Sequence, residues 1–143
     1  MAKYDVTFSC GHTETVEMFG KIADRERKIE WYRDHCQCSE CRKAKIDAAN
    51  EKAAEDNKAD GYAPLTGSEK QIAWAETIRR EKIAELEQMP YGGTDAGRAA
   101  KVMTIDFVKS QITDAAEWID NRNYSALSIV RNHQSELQEW AKR

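Results

Sequence analysis

Two short pairs of soft metal ligands, Cys10-x-His12 and Cys38-x2-Cys41, constrain this chain more than any other feature of its sequence. Each pair can chelate one ion with little ordering of the chain between its members. Together they supply the four thiolate and imidazole donors that zinc takes in a tetrahedron. Cys10-Gly11-His12 lies inside a run of valines, threonines and aromatics over residues 4–18, which reads as a β-hairpin turning at Gly11. Cys38 and Cys41 stand where an Ala- and Lys/Glu-rich helix begins, and the positive end of a helix dipole favours thiolates. The expectation is one structural zinc ion on Cys10, His12, Cys38 and Cys41, in a ribbon- or treble-clef-like module. Cys36 is a substitute ligand through Cys36-x-Cys38, and His35 is also within reach. The x2 spacing favours Cys38 with Cys41.

A metal staple suits what remains. The chain has 143 residues, 41% of them hydrophobic and 33% charged, enough for a modest core. No apolar run is long enough to span a bilayer, and Met1–Ser9 lacks a signal-peptide core. A cytoplasmic setting follows as an expectation. Cysteines stay reduced there, so four of them point to metal before disulfides.

Beyond the hairpin the pattern is helical. Phe19, Ile22, Ile29 and Tyr32 predict an amphipathic helix over 20–34, and the following helix runs from the second cysteine pair to Asp60. Asp60-Gly61-Tyr62-Ala63-Pro64 marks a module boundary. The next helix opens with a capping box, either Thr66 with Glu69 or Ser68 with Gln71. Its apolar stripe is Ile72, Ala75, Ile78, Ile83 and Leu86, and Met89-Pro90-Tyr91-Gly92-Gly93 stops it. A third long helix is expected from Asp95 to Asp120, with Val102, Ile105, Val108, Ile112, Ala115, Ala116 and Ile119 on one face and Met103, Phe107 and Trp118 on another, as in a helix packed on both sides. A last one starts at Ser125. The fold class is thus mainly α: a zinc-finger module over 1–60, then a three-helix bundle over 66–143.

The charges weigh against an electrostatic clamp on nucleic acid without excluding one. Net charge is −3, and residues 1–43 carry eight basic and eight acidic groups. Arg42, Lys43, Arg79 and Arg80 are the candidate cations for a partner, with Trp74 on the flank of the helix that carries Arg79 and Arg80. Arg79 falls within the apolar stripe, so it snorkels, pairs with a buried carboxylate or faces a partner. His133 reads as a satisfied core or interface histidine.

One catalytic pattern merits comparison. His12-x-Glu14 followed by Cys38-x2-Cys41 has the outline of a zinc-deaminase signature, in which His and two Cys hold zinc and the Glu shuttles protons. Gln37 stands where that signature has proline. Cys10 would close the coordination sphere, and the chain supplies no strands for the deaminase sheet.

The run Gly67-Ser68-Glu69-Lys70-Gln71-Ile72-Ala73-Trp74-Ala75-Glu76-Thr77-Ile78-Arg79 resembles a segment of uncharacterised zinc-finger-containing proteins of bacterial prophages, plasmids and conjugative elements. In those proteins it likewise follows a Cys-Gly-His hairpin and a Cys-x2-Cys knuckle, and Ala116-Glu117-Trp118-Ile119-Asp120-Asn121-Arg122 resembles a further shared segment. Cys36 and Ser39 depart from the family's more usual Cys-Pro-x-Cys. The resemblance implies a mobile-element setting in a bacterial host and no particular reaction. A non-catalytic binding or adaptor protein is therefore expected, with a protein or nucleic-acid partner, no membrane and no small-molecule substrate. An inhibitor of a host defence enzyme is one form this takes.

Overall fold

The computed structural model describes residues 2–143 and divides into two compact units, 1–48 and 49–143. The chain is mainly helical, with an N-terminal two-stranded hairpin.

In the first unit, β1 (Ala2–Thr7) pairs antiparallel with β2 (Thr13–Met18), in a register running from Ala2 opposite Met18 to Thr7 opposite Thr13. Alternation puts Tyr4, Val6, Phe8, Val16 and Met18 towards one small core, with Val6 fully buried. Helix α1 (Ile22–His35) lays Ile29 and Tyr32 on that core, and Arg25 donates to the Tyr4 hydroxyl at 3.0 Å. The predicted stripe is only half used, because Phe19 and Ile22 stay exposed. No residue of α1 is fully buried.

Helix α2 (Ser39–Ala59) contains the division between the units, at Ala48 and Ala49. The expected boundary at Asp60–Pro64 is therefore corrected. Polar pairs hold the second half of α2 to α3 (Glu69–Gln88): Thr77 donates to Asn50 at 2.6 Å, and Asn57 donates to the Glu76 carboxylate at 2.6 Å. This stretch has few large apolar residues, so composition alone assigned it to the wrong side.

The second unit also corrects the three-helix bundle, since α3 is followed by four shorter helices. These are α4 (Asp95–Gln111), α5 (Ala115–Asp120), α6 (Ala126–Asn132) and α7 (Gln134–Ala141). The expected 95–120 helix breaks at Ile112–Asp114. There the Thr66 amide donates to the Thr113 carbonyl at 2.7 Å, and the Ala115 amide donates to the Thr66 carbonyl at 2.9 Å. The Trp118 indole takes the Ile112 carbonyl at 3.0 Å, and Asp114 caps the Ala116 amide. Carbonyls that would continue the helix are thus spent on other donors. The last helix divides at His133, which ends α6 and starts α7.

Fifteen buried apolar residues form the main core, among them Ala75, Ile83, Phe107, Val108, Ile112, Ala115 and Trp118. Val102, expected among the core residues, is 54% exposed on the outer face of α4.

Most of the Gly67–Arg79 run is explained by this packing. Ser68 and Gln71 complete the capping box, and Ala75 is fully buried. Gly67 has φ +144°, and a Cβ there would come to 3.2 Å from that of Ala115. Thr66, the other expected cap, pairs with Thr113 and Asp114 instead.

Candidate metal centre

The hairpin tip is shaped before any ligand is considered. The Phe8 amide donates to the His12 carbonyl and the Gly11 amide to the Phe8 carbonyl, both at 2.9 Å, which projects Cys10 and His12 from the same turn. The Ser9 amide and hydroxyl both donate to the Cys36 carbonyl, at 2.8 and 2.7 Å. That clamp draws the segment before α2 onto the tip. From the other side, one Glu14 carboxylate oxygen accepts from the Ser39 amide at 2.9 Å and the Ser39 hydroxyl at 2.6 Å. A carboxylate at a helix N-terminus satisfies free amides and meets the favourable end of the dipole.

Between these two ties lie the four expected ligands. One donor atom each of Cys10, His12, Cys38 and Cys41 falls within 4.8 Å of all the others. His12 Nδ1 is 3.6 Å from Cys38 Sγ and 3.3 Å from Cys41 Sγ. Tetrahedral zinc bonds imply sulfur–nitrogen edges of roughly 3.5 Å. Backbone amides point at the sulfurs: Cys38 N–H to Cys10 at 3.3 Å, and Cys41 N–H to Cys38 at 3.4 Å. Such donors stabilise thiolates and orient them.

The thiol acidities fit a site made for a cation. Amide donors, first that of Cys38 and then that of His12, bring Cys10 down to about 6. Cys41 is pushed up to about 12, first by its hydrogen bond with Cys38, then by desolvation and by Cys10. Several thiolates in one small volume repel one another, and one keeps its proton unless a dication balances the charge. These four residues can therefore hold one metal ion.

Cys36 and His35 lie outside this set. Cys36 closes α1 through its amide, its carbonyl takes Ser9, and it packs beside the small core. His35 sits beside Trp31, with ring centroids 6.1 Å apart. Glu14, the proton shuttle of the deaminase outline, is committed to Ser39. That bond is the first cause of a carboxyl held below its usual range. The roles of Ser9, Ser39 and Glu14 escaped the sequence reading, because ties across roughly 25 residues leave no local spacing signal.

The candidate partner residues divide. Arg42 and Lys43 are exposed on the first turns of α2. Trp74 is 44% exposed, with the Arg122 guanidinium 5.1 Å above its ring. Arg80 is bound to Asp60 at 3.0 Å and to Asn57 at 3.1 Å. Arg79 is not a surface residue at all and is corrected here: it is fully buried. It donates to the Ala63 and Lys109 carbonyls, each at 2.7 Å, lies 3.9 Å from Glu76, and stands over the Tyr62 ring. Its role is to tie the 60–66 loop and α4 to α3.

No helix among the described residues is long and apolar enough to cross a membrane. No family model, curated protein or solved structure matches the chain.

Proposed function

We propose that this chain is a non-catalytic, zinc-stabilised binding or adaptor protein of a phage or other mobile element, working in a host cytoplasm and engaging a protein partner. The observation that carries the reading is the donor set. Three sulfurs and one imidazole nitrogen converge from two chain segments, which suits zinc and leaves no protein-defined open position. A closed site contributes folding energy rather than a reactive water. In the deaminase alternative, Glu14 would stand free beside a metal-bound water, whereas its carboxylate is engaged at the start of α2. The choice of a protein over a nucleic acid is supported by the balanced charge and by the loss of Arg79 and Arg80 as free cations. The mobile-element setting rests on the sequence resemblance alone.

Elemental analysis with X-ray absorption at the zinc edge tests this directly. One zinc per chain with three sulfurs and one nitrogen is expected, and Glu14→Ala should keep that ligand set while lowering the unfolding midpoint. Two sulfurs, one nitrogen and one light oxygen would overturn the reading, and cytosine and adenine deamination assays of wild type and Glu14→Ala would follow. Retention on mixed-sequence DNA or RNA that weakens steeply with salt would move the partner from protein to nucleic acid.

A further inference from the structure

The second unit carries an apolar groove of about 580 Å³ that the metal centre does not explain. Leu86 and Met89 at the end of α3, Pro90, Ile105 of α4 and Leu127 of α6 line it. One wall is the 89–94 loop, which lies across the first turn of α4. Only glycine at 97 permits that approach, since a Cβ there would drive into the Tyr91 carbonyl oxygen. Thr94 fixes the loop's end by capping the Gly97 amide at 3.0 Å. The groove is thus built into the backbone.

Two features say what fits it. First, exposed apolar side chains extend beyond the groove's floor: Leu127 is 39% exposed at its edge, and Val102, 54% exposed, lines the adjoining depression on α4, next to Lys101. A small molecule seated in the groove would leave Val102 uncovered. An amphipathic helix, with anchors at i, i+3 or i+4 and i+7, covers a longer strip. Second, the groove's own lining carries a single charge, and it is positive. Lys101 is the sole ionisable cation or carboxylate in the lining, and both it and Arg98 lie over the Tyr91 ring, at 5.7 and 5.4 Å. Arg98 donates to the Tyr91 hydroxyl and Lys101 to the Glu87 carbonyl, yet among the described residues neither meets a carboxylate within ion-pair distance. Arg98, Lys101 and Val102 also line the adjoining depression, together with Glu87 and Asp106, and there Glu87 lies 4.0 Å from Lys109.

We infer that this groove docks an amphipathic helix of a partner protein, its apolar face against Leu86, Met89 and Leu127 and its acidic flank on Lys101 and Arg98. The inference rests on the reading of the chain as a protein-binding adaptor and names the surface and the partner's chemistry. Complementary charge would set partner choice and association rate more than bulk affinity.

The test is a selection from a displayed library of helical peptides against the zinc-loaded full chain. The enriched peptides should carry apolar residues at i, i+4 and i+7 with Asp or Glu on the flank. Leu127→Glu should weaken them by about tenfold or more. Lys101→Glu with Arg98→Glu should do the same and should admit versions with lysine flanks. All these positions are exposed or half-exposed, and unchanged circular dichroism and zinc content would show that the variants fold. An empty selection, basic flanks, or binders indifferent to both changes would overturn the inference. So would displacement of the peptides by micromolar decanoate, which would mark a small-molecule pocket. Self-association abolished by Leu127→Glu would equally overturn it, by giving the groove to a second copy. The two readings fail separately. Zinc-loaded protein that enriches nothing sinks only the groove, whereas protein with an open metal site that still selects acidic helices sinks only the structural-zinc reading.

Discussion

Arg79 shows how one residue's surroundings decide its meaning. A guanidinium stays protonated at any accessible pH, so burial obliges the protein to surround it with acceptors. Two carbonyls, the Glu76 carboxylate and the Tyr62 face do so here, while its buried Nε has no hydrogen-bond partner among the described residues. Arg79→Ala should cost about 3–5 kcal/mol in urea unfolding, because two carbonyls lose their donor and the Glu76 carboxylate loses its nearby cation. A loss below about 1 kcal/mol would mean that the buried guanidinium does not hold the 60–66 loop and α4 to α3. His133 makes a pH-dependent contribution. Burial lowers its pKa, but hydrogen bonds to Glu117 and Glu136, with their charges, outweigh that and raise it above 6.5. A group whose folded pKa is raised adds stability that is full below its unfolded value and fades as pH rises through the folded value. His133→Gln should therefore lower the melting temperature more at pH 5.5 than at pH 9. An equal loss at both would mean that the ring serves only as packing against Phe107. The sequence shows His133 as a histidine on an apolar face. It does not show the two carboxylates, since Glu117 is sixteen residues away and reaches it only once α5 has separated from α4.

At the scale of elements, legibility followed the locality of the cause. The hairpin was readable because strand pattern, turn and ligands all fall within fifteen residues, and the start of α3 because its cap is a four-residue motif. The break after Gln111 was hidden: Ile112, Ala115, Ala116 and Ile119 keep helical spacing straight through it. What breaks the helix is Thr66, nearly fifty residues earlier, pairing with Thr113 and Asp114. Val102 was misassigned for a related reason, since periodicity groups residues by face without saying how far along a helix its neighbours extend. The caps give a direct check. Ser68→Ala should lower stability by about 1 kcal/mol and Asp114→Ala by a similar amount, read from denaturant midpoints with unchanged slopes. Thr66→Val, which keeps the backbone pairing and loses only a side-chain bond to Thr113, should cost less. A larger loss for Thr66→Val than for Ser68→Ala would mean that the cap had been assigned to the wrong residue.

At the scale of the molecule, the two units draw on different sources of stability. The first has a small core of Val6, Phe8, Met18 and Cys38 with partly buried neighbours, and one of its core members is a proposed ligand. The second has a core of fifteen buried apolar residues. Chelation should therefore unfold the first unit and leave the second folded. Circular dichroism would lose the hairpin and α1 signals while the fully buried Trp118 keeps its fluorescence. Loss of both together would make zinc a determinant of the whole chain, and loss of neither would remove it as a structural element. Helix α2 belongs to both regimes. Its first turn is held by Glu14 and carries Cys41, while Asn50 and Asn57 are clasped to α3. A helix anchored at both ends by unrelated chemistry need not melt as a unit. Without metal its amides should exchange quickly from Ser39 up to about Asn50 and slowly beyond. One continuous helix would then act as a ruler, with the step in protection along it marking how far the influence of the metal extends.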